Sequence, residues 1–315
     1  MALDSKQVTS RVRAGIRVCS AGLQACRVTA VVLAIALLSS VGVSPLASAA
    51  AGPPRIVSLV PSATEMLFAI GAGPQVVGVS SYDTYPPETA KLPKLGALLD
   101  PDVERILSLR PDLAVVYATQ TDLERQLRRA GIDIFEYRHA GLADVTQTIR
   151  DLGSRTGHRN EAEAVVSRID DGLAHIRRAV AGLPRPKTLL VFGRERLALR
   201  GIYASGGIGF LHDMLTIAGG DNVFADVKLQ AVQATTESII ARRPDAIIEV
   251  HSAETPTPRG AVQDEIKTWS LLGSVPAVRN GRVFYLIDDR LVVPGPRIAE
   301  GVRLLADVLH PGAVQ

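Results

Sequence analysis

Two glutamates sit in matching surroundings 133 residues apart. Glu104 opens ERILSLRPDLAVV and Glu237 opens ESIIARRPDAIIE. The shared pattern is E-x-I-[LI]-x-x-R-P-D-x-x-[IV]. In each copy Pro stops a helix and Asp starts the turn into a strand, which accounts for Arg110-Pro111-Asp112 and Arg243-Pro244-Asp245 as architecture. The glutamates have two readings. A carboxylate in a helix's first turn gains about 0.3–1 kcal/mol from the helix dipole. A matched pair of exposed carboxylates also suits anchorage to a two-fold-symmetric partner. Other polar residues near strand ends could face a ligand: Arg138, His139, Arg194, Arg196, Tyr203 and His251. Arginines would suit an anionic chelate. The histidines could hold a divalent metal. No G-x-S-x-G elbow, H-E-x-x-H or P-loop lysine occurs, so hydrolase, zinc-protease and nucleotide chemistry have no sequence basis.

The elements that must position these residues alternate. Strand 55–60, a helix opened by a capping-box pattern at Ser62-Ala-Thr-Glu65, strand 75–79, a polar loop over 80–96 and helix 100–109 come first. Strand 112–117, helix 120–130, strand 132–137 and helix 142–156 follow. Residues 159–182 carry a helical apolar stripe at Ala162, Val165, Val166, Ile169, Leu173, Ile176 and Val180. A second series follows: strand 188–192, helices 209–218 and 235–242, strand 245–250, helix 261–269, strand 282–287 and helix 296–309. The alternation predicts α/β architecture: two Rossmann-like lobes with parallel sheets, joined by one long rigid helix. The expected divisions are a signal peptide (1–49), an N-terminal lobe (50–157), the bridging helix (158–183) and a C-terminal lobe (184–315). Trp269, the only tryptophan, is expected in the core.

The positive excess comes from the leader. The 315 residues hold 35 Lys+Arg against 32 Asp+Glu, but five of those cations and only Asp4 among the acids lie before residue 50. The remainder is close to neutral, so no nucleic-acid-binding surface is implied. An apolar run over 28–43 follows the cationic segment and precedes Ala47-Ser48-Ala49, the layout of a cleaved export signal. Leu23-Gln24-Ala25-Cys26 faintly resembles a lipidation site, but Cys26 precedes the apolar run instead of following it. Cleavage after Ala49 would leave no cysteine, since Cys19 and Cys26 are the two present.

The segments RIVSLVPSATEMLFAIG, VVGVSSYDTYPP, LDPDVERILSLRPDLAVVY, IYASGGIGFLHDMLTIAGGDNVFADV and GPRIAEGVRLLADVL resemble the cobalamin- and ferric-siderophore-type substrate-binding proteins of ABC importers. The resemblance runs over 54–310. It implies the class III periplasmic binding protein fold, no enzymatic activity and no intrinsic cofactor. It further implies a periplasmic monomer that takes a small-molecule metal chelate and hands it to a permease homodimer driven by a cytoplasmic ATPase. Glu104 and Glu237 fall on the family's docking glutamates, which look like partners for permease arginines. Tyr82, Pro61, Ser62 and Asp289 match cleft positions. Leu98 and Ala231 stand where relatives carry cleft tryptophans, and Val293 where they carry an arginine. The expected cargo is a cobalt corrinoid. A ferric siderophore, haem, or a free divalent metal on His139, His251 and Asp289 are the alternatives. Leu98-Leu99 offers haem iron none of the tyrosine that haem-binding relatives supply.

Overall fold

The computed structural model describes residues 53–138, 140–253 and 260–314. The expected signal peptide and His139 lie outside the described residues. No helix among the described residues is long and apolar enough to cross a membrane.

The first lobe alternates β1 (Ile56–Ser58), α1 (Pro61–Ala69), β2 (Val76–Val79), α2 (Val103–Ser108), β3 (Leu113–Tyr117), α3 (Thr121–Arg129), β4 (Asp133–Tyr137) and α4 (Leu142–Thr156). Its four strands are all parallel, in the order β2-β1-β3-β4. Helix α5 (Arg159–Val180) crosses to the second lobe; its 22 residues span about 33 Å. All seven residues of its apolar stripe are buried and join one core with residues of both lobes, such as Ile149, Leu152, Val302 and Leu305. Burying each Val, Leu or Ile of that stripe contributes roughly 1.5–3 kcal/mol, so the rod is packed on both lobes.

The second lobe holds β5 (Lys187–Gly193), β6 (Ile202–Ser205), α6 (Phe210–Ile217), β7 (Asp221–Asn222), β8 (Ala231–Ala234), α7 (Thr236–Arg242), β9 (Ala246–His251), α8 (Ala261–Thr268), α9 (Pro276–Arg279), β10 (Val283–Ile287) and α10 (Ile298–Leu309). Here the parallel-sheet expectation needs correction. The order is β10-β9-β5-β6-β8, and β6 runs antiparallel to both β5 and β8. IYAS and AVQA are four-residue segments without enough alternation to announce strands; their pairing comes from neighbours distant in sequence.

The repeated R-P-D has the same job in both lobes. Arg110 and Arg243 take left-handed φ values of 47° and 50°, ending their helices. The Asp112 carboxylate then accepts the Arg55 N–H at 3.0 Å, and Asp245 accepts the Lys187 N–H at 3.1 Å. Each aspartate also donates its own N–H back to that residue's carbonyl. The motif thus clamps the start of the central strand β1 or β5. Trp269 is fully buried.

The capping-box expectation at Ser62 fails. The cap lies two residues earlier, at Val60, which makes no side-chain hydrogen bond, and Pro61 opens the first turn of α1. Proline at that position needs no N–H partner, so Glu65 is free of capping duty and reaches elsewhere.

Candidate ligand-binding cleft

Loops at the carboxyl ends of the strands converge between the lobes, where ligands of α/β proteins collect. Pro61, Glu65, Tyr82, Thr84 and Tyr85 from the first lobe face Ser252, Asp289, Val292 and Val293 from the second around a cavity of 140 Å³. Val292 also lines an adjoining cavity of 350 Å³ with Phe192, Ile208, Phe210, Leu211 and Ala231. The smaller cavity is therefore lined by tyrosine and carboxylate groups, the larger mainly by aliphatic and phenyl groups. Among the described residues lining these two cavities none is Lys or Arg.

The carboxylates are held in place. Asp289 Oδ1 accepts from Ser252 Oγ at 2.6 Å and from the Ala253 N–H at 2.9 Å. Glu65 receives Arg297 through two bonds, Nε at 2.8 Å and Nη2 at 2.5 Å. Burial pushes the Glu65 carboxyl above its ordinary value; Arg297 pulls it back, and the nearby Asp289 and Asp83 charges push it up further. Asp83 is buried beneath the Tyr82–Tyr85 loop. Neither of its carboxylate oxygens has a hydrogen-bond partner among the described residues, while Lys94 Nζ bonds its backbone carbonyl at 2.5 Å. Burial raises the Asp83 carboxyl, and the nearby Ser80 and Thr64 hydroxyls and the Lys94 charge only partly oppose this.

The structure distributes the sequence candidates unevenly. Pro61, Tyr82 and Asp289 line the smaller cavity, with Tyr82 60% exposed. Tyr203 is exposed on β6, its ring 6.4 Å from that of Phe192 at the edge of the larger cavity. Ser62 is not a wall residue: it is buried, and its hydroxyl hydrogen-bonds the Tyr137 side chain. Leu98 is exposed outside both cavities, its carbonyl taking the Gln120 side-chain amide. Arg138 pairs with Glu136.

Arg194 is corrected most sharply. Its side chain is 2% exposed and lies between Glu249 (3.0 Å) and Glu265 (2.9 Å), themselves 1% and 3% exposed. It is a core ion, and its fork is fully used inside the lobe. Trp269 Nε1 donates to the same Glu249, and Arg196 pairs with Glu265. His251 belongs to the edge of this network, 3.4 Å from Glu249 and stacked on Tyr285 at 4.2 Å. Among the described residues no three His, Cys, Asp or Glu side chains converge to hold a metal.

Glu104 and Glu237 are both exposed in the first turns of α2 and α7. The Glu237 carboxyl is held below the usual range by its own backbone N–H and by Thr235.

The sequence profile described as "Periplasmic binding protein" matches residues 56–289. The substrate-binding lipoprotein YvrC of Bacillus subtilis, an ABC transporter protein, is 32% identical, over 82% of this chain and 81% of its own. The vitamin B12-binding protein of Salmonella choleraesuis is 30% identical, over 81% of this chain and 90% of its own. Among solved structures, the periplasmic heme-binding protein RhuT of Roseiflexus sp. RS-1 superposes with a TM-score of 0.70 at 29% identity, over 84% of this chain and all of its own.

Proposed function

The chain belongs to the periplasmic binding protein family, and from that premise we propose that it is the extracytoplasmic substrate-binding component of an ABC importer, capturing a corrinoid such as cobalamin and delivering it to the permease. The observation that carries the ligand class is the chemistry of the cleft walls. Phe192, Ile208, Phe210 and Val292 give the larger cavity an apolar lining, and Tyr82, Glu65 and Asp289 give the smaller one an aromatic and acid lining. An uncharged macrocycle with amide side chains matches both, because its flat body is desolvated against the apolar wall and its N–H groups donate to carboxylates. Haem propionates and the carboxylate or catecholate type of ferric siderophore are anionic, which Asp289 opposes, while Glu65 is already neutralised by Arg297. The likeness to RhuT keeps haem as the second reading.

Export follows from the leader at 1–49, which would place the mature protein in the periplasm. YvrC is a lipoprotein, which makes an anchored form the alternative. Glu104 and Glu237, one on each lobe, register the cleft over a two-fold permease. Glu104→Ala combined with Glu237→Ala should leave the affinity for cyanocobalamin unchanged and abolish its uptake by cells. Normal uptake by that double variant would remove the docking role. Tyr82→Ala should weaken cyanocobalamin binding, and an unchanged affinity would remove Tyr82 from the site.

A further inference from the structure

Helix α5 is the single covalent rod between the lobes, and a rod fixed at two ends still permits the lobes to rock. A side-chain tie crosses the cleft floor beside it. Glu65 comes from α1 of the first lobe and Arg297 caps α10 of the second, 232 residues apart, with both carboxylate oxygens engaged. Arg297 also lies over the Tyr85 ring, its guanidinium carbon 3.8 Å from the ring centroid. Its three contacts therefore all reach into the first lobe. Its main chain is fixed in the second, where its carbonyl accepts the N–H groups of Glu300 and Gly301.

The approach is close enough to constrain the backbone. A Cβ on Gly295 would stand 3.2 Å from Glu65 Oε2. The Tyr85 loop is itself pinned, since Thr89 Oγ1 donates to the carbonyls of Pro86 and Asp83. Glu65 and Tyr85 line the 140 Å³ cleft cavity on one side and a 270 Å³ hollow on the other, where Arg297 joins them. The trio is thus a partition as well as a tie. Bidentate Arg–carboxylate pairing is directional, and a cation over an aromatic face adds a second geometric restraint.

We infer that Glu65, Arg297 and Tyr85 form an interlobe strut that sets the width of the cleft and holds the Tyr82 wall opposite Asp289, acting as positioning residues for capture. The strut goes beyond the ligand assignment and holds whatever the cargo is. Its test needs no ligand. In the full chain with Cys19→Ser and Cys26→Ser, spin labels are placed across the lobes at Asp122→Cys and Leu271→Cys, both strongly exposed. A second pair within the first lobe, Asp122→Cys and Asp151→Cys, serves as the internal control. The strut predicts a narrow interlobe distance distribution that broadens toward longer distances in Glu65→Gln with Arg297→Met, while the control pair stays narrow. An interlobe distribution identical to that of the unsubstituted protein would overturn it. If the control pair also broadens, the lobe itself has been damaged, and the near-isosteric Glu65→Gln alone decides by the same criterion. A cargo titration then separates the strut from the ligand assignment. If cyanocobalamin binds, its affinity should fall about tenfold when the competent cleft width drops to a tenth of the population. If it does not bind, the distance result stands unaffected.

Discussion

Replacing Arg194 with Met distinguishes a core ion from a ligand contact. The side chain satisfies two buried glutamates at 2.9–3.0 Å, and all three groups are nearly sealed from water. Removing one partner of a buried pair costs roughly 3–5 kcal/mol, because the remaining charge has neither partner nor solvent. Two carboxylates are stranded here, so the upper part of that range is expected. Set against a total stability of about 5–15 kcal/mol, and at about 2–4 °C per kcal/mol, the loss should lower Tm by about 10 °C or more. The penalty should also depend on pH. Burial pushes the Glu265 carboxyl up, but the Leu197 N–H, Arg194 and Arg196 outweigh it and hold it below its ordinary 4.5. A depressed carboxyl gives stability that is present above its unfolded value and lost as pH falls through its folded value. Without Arg194 that contribution shrinks, so the gap in Tm between Arg194→Met and the unsubstituted protein should be wide at neutral pH and narrow progressively as the pH falls below 4.5. Thermal denaturation followed by circular dichroism reads both. An unchanged Tm together with weakened cargo binding would refute the reasoning and return Arg194 to the cleft.

Asp83→Asn should stabilise the protein by about 1 kcal/mol at neutral pH, since burial of the Asp83 carboxylate outweighs the support of the nearby Ser80 and Thr64 hydroxyls and the Lys94 charge. The Asp83 carboxyl is raised above 3.8, so its contribution to stability is fully present below that value and lost as pH rises through the folded value. The advantage of the Asn variant should therefore vanish on acidification, and an Asn variant less stable in urea at neutral pH would contradict this. Because α5 is packed on both lobes, small-angle scattering should record only a small change in radius of gyration on cargo binding; a large contraction would contradict a rigid bridge.

The parts of the fold that were legible in the sequence are those written in local periodicity. The stripe from Ala162 to Val180 became α5, and the paired R-P-D turns clamp β1 and β5. The antiparallel pairing of β6 with β8 was not legible because the strands are short and lie apart in sequence. Site residues divide in the same way. Tyr82, Pro61 and Asp289 lie in loops that end strands, a position readable from sequence, and they reach the cleft. Arg194 occupies the same kind of position, yet two glutamates 55 and 71 residues further on draw it into the core, a pairing that no local pattern reports. Glu65 is the converse. Its spacing from Ser62 suggested a cap, whereas its partner is Arg297, near the far end of the chain. Long-range ion pairs leave no periodic trace, and the misplacing of Arg194 and of Glu65 each involves one.

Whether the cleft captures a corrinoid is read by calorimetric titration. Cyanocobalamin, cobinamide, a panel of ferric siderophores and haemin would be titrated side by side into the protein from Ala50 onward. Saturable one-to-one binding of a corrinoid, with the ferric siderophores and haemin silent, is the predicted result. Saturable binding of a ferric siderophore or haemin with the corrinoids silent would contradict it and move the protein to iron uptake.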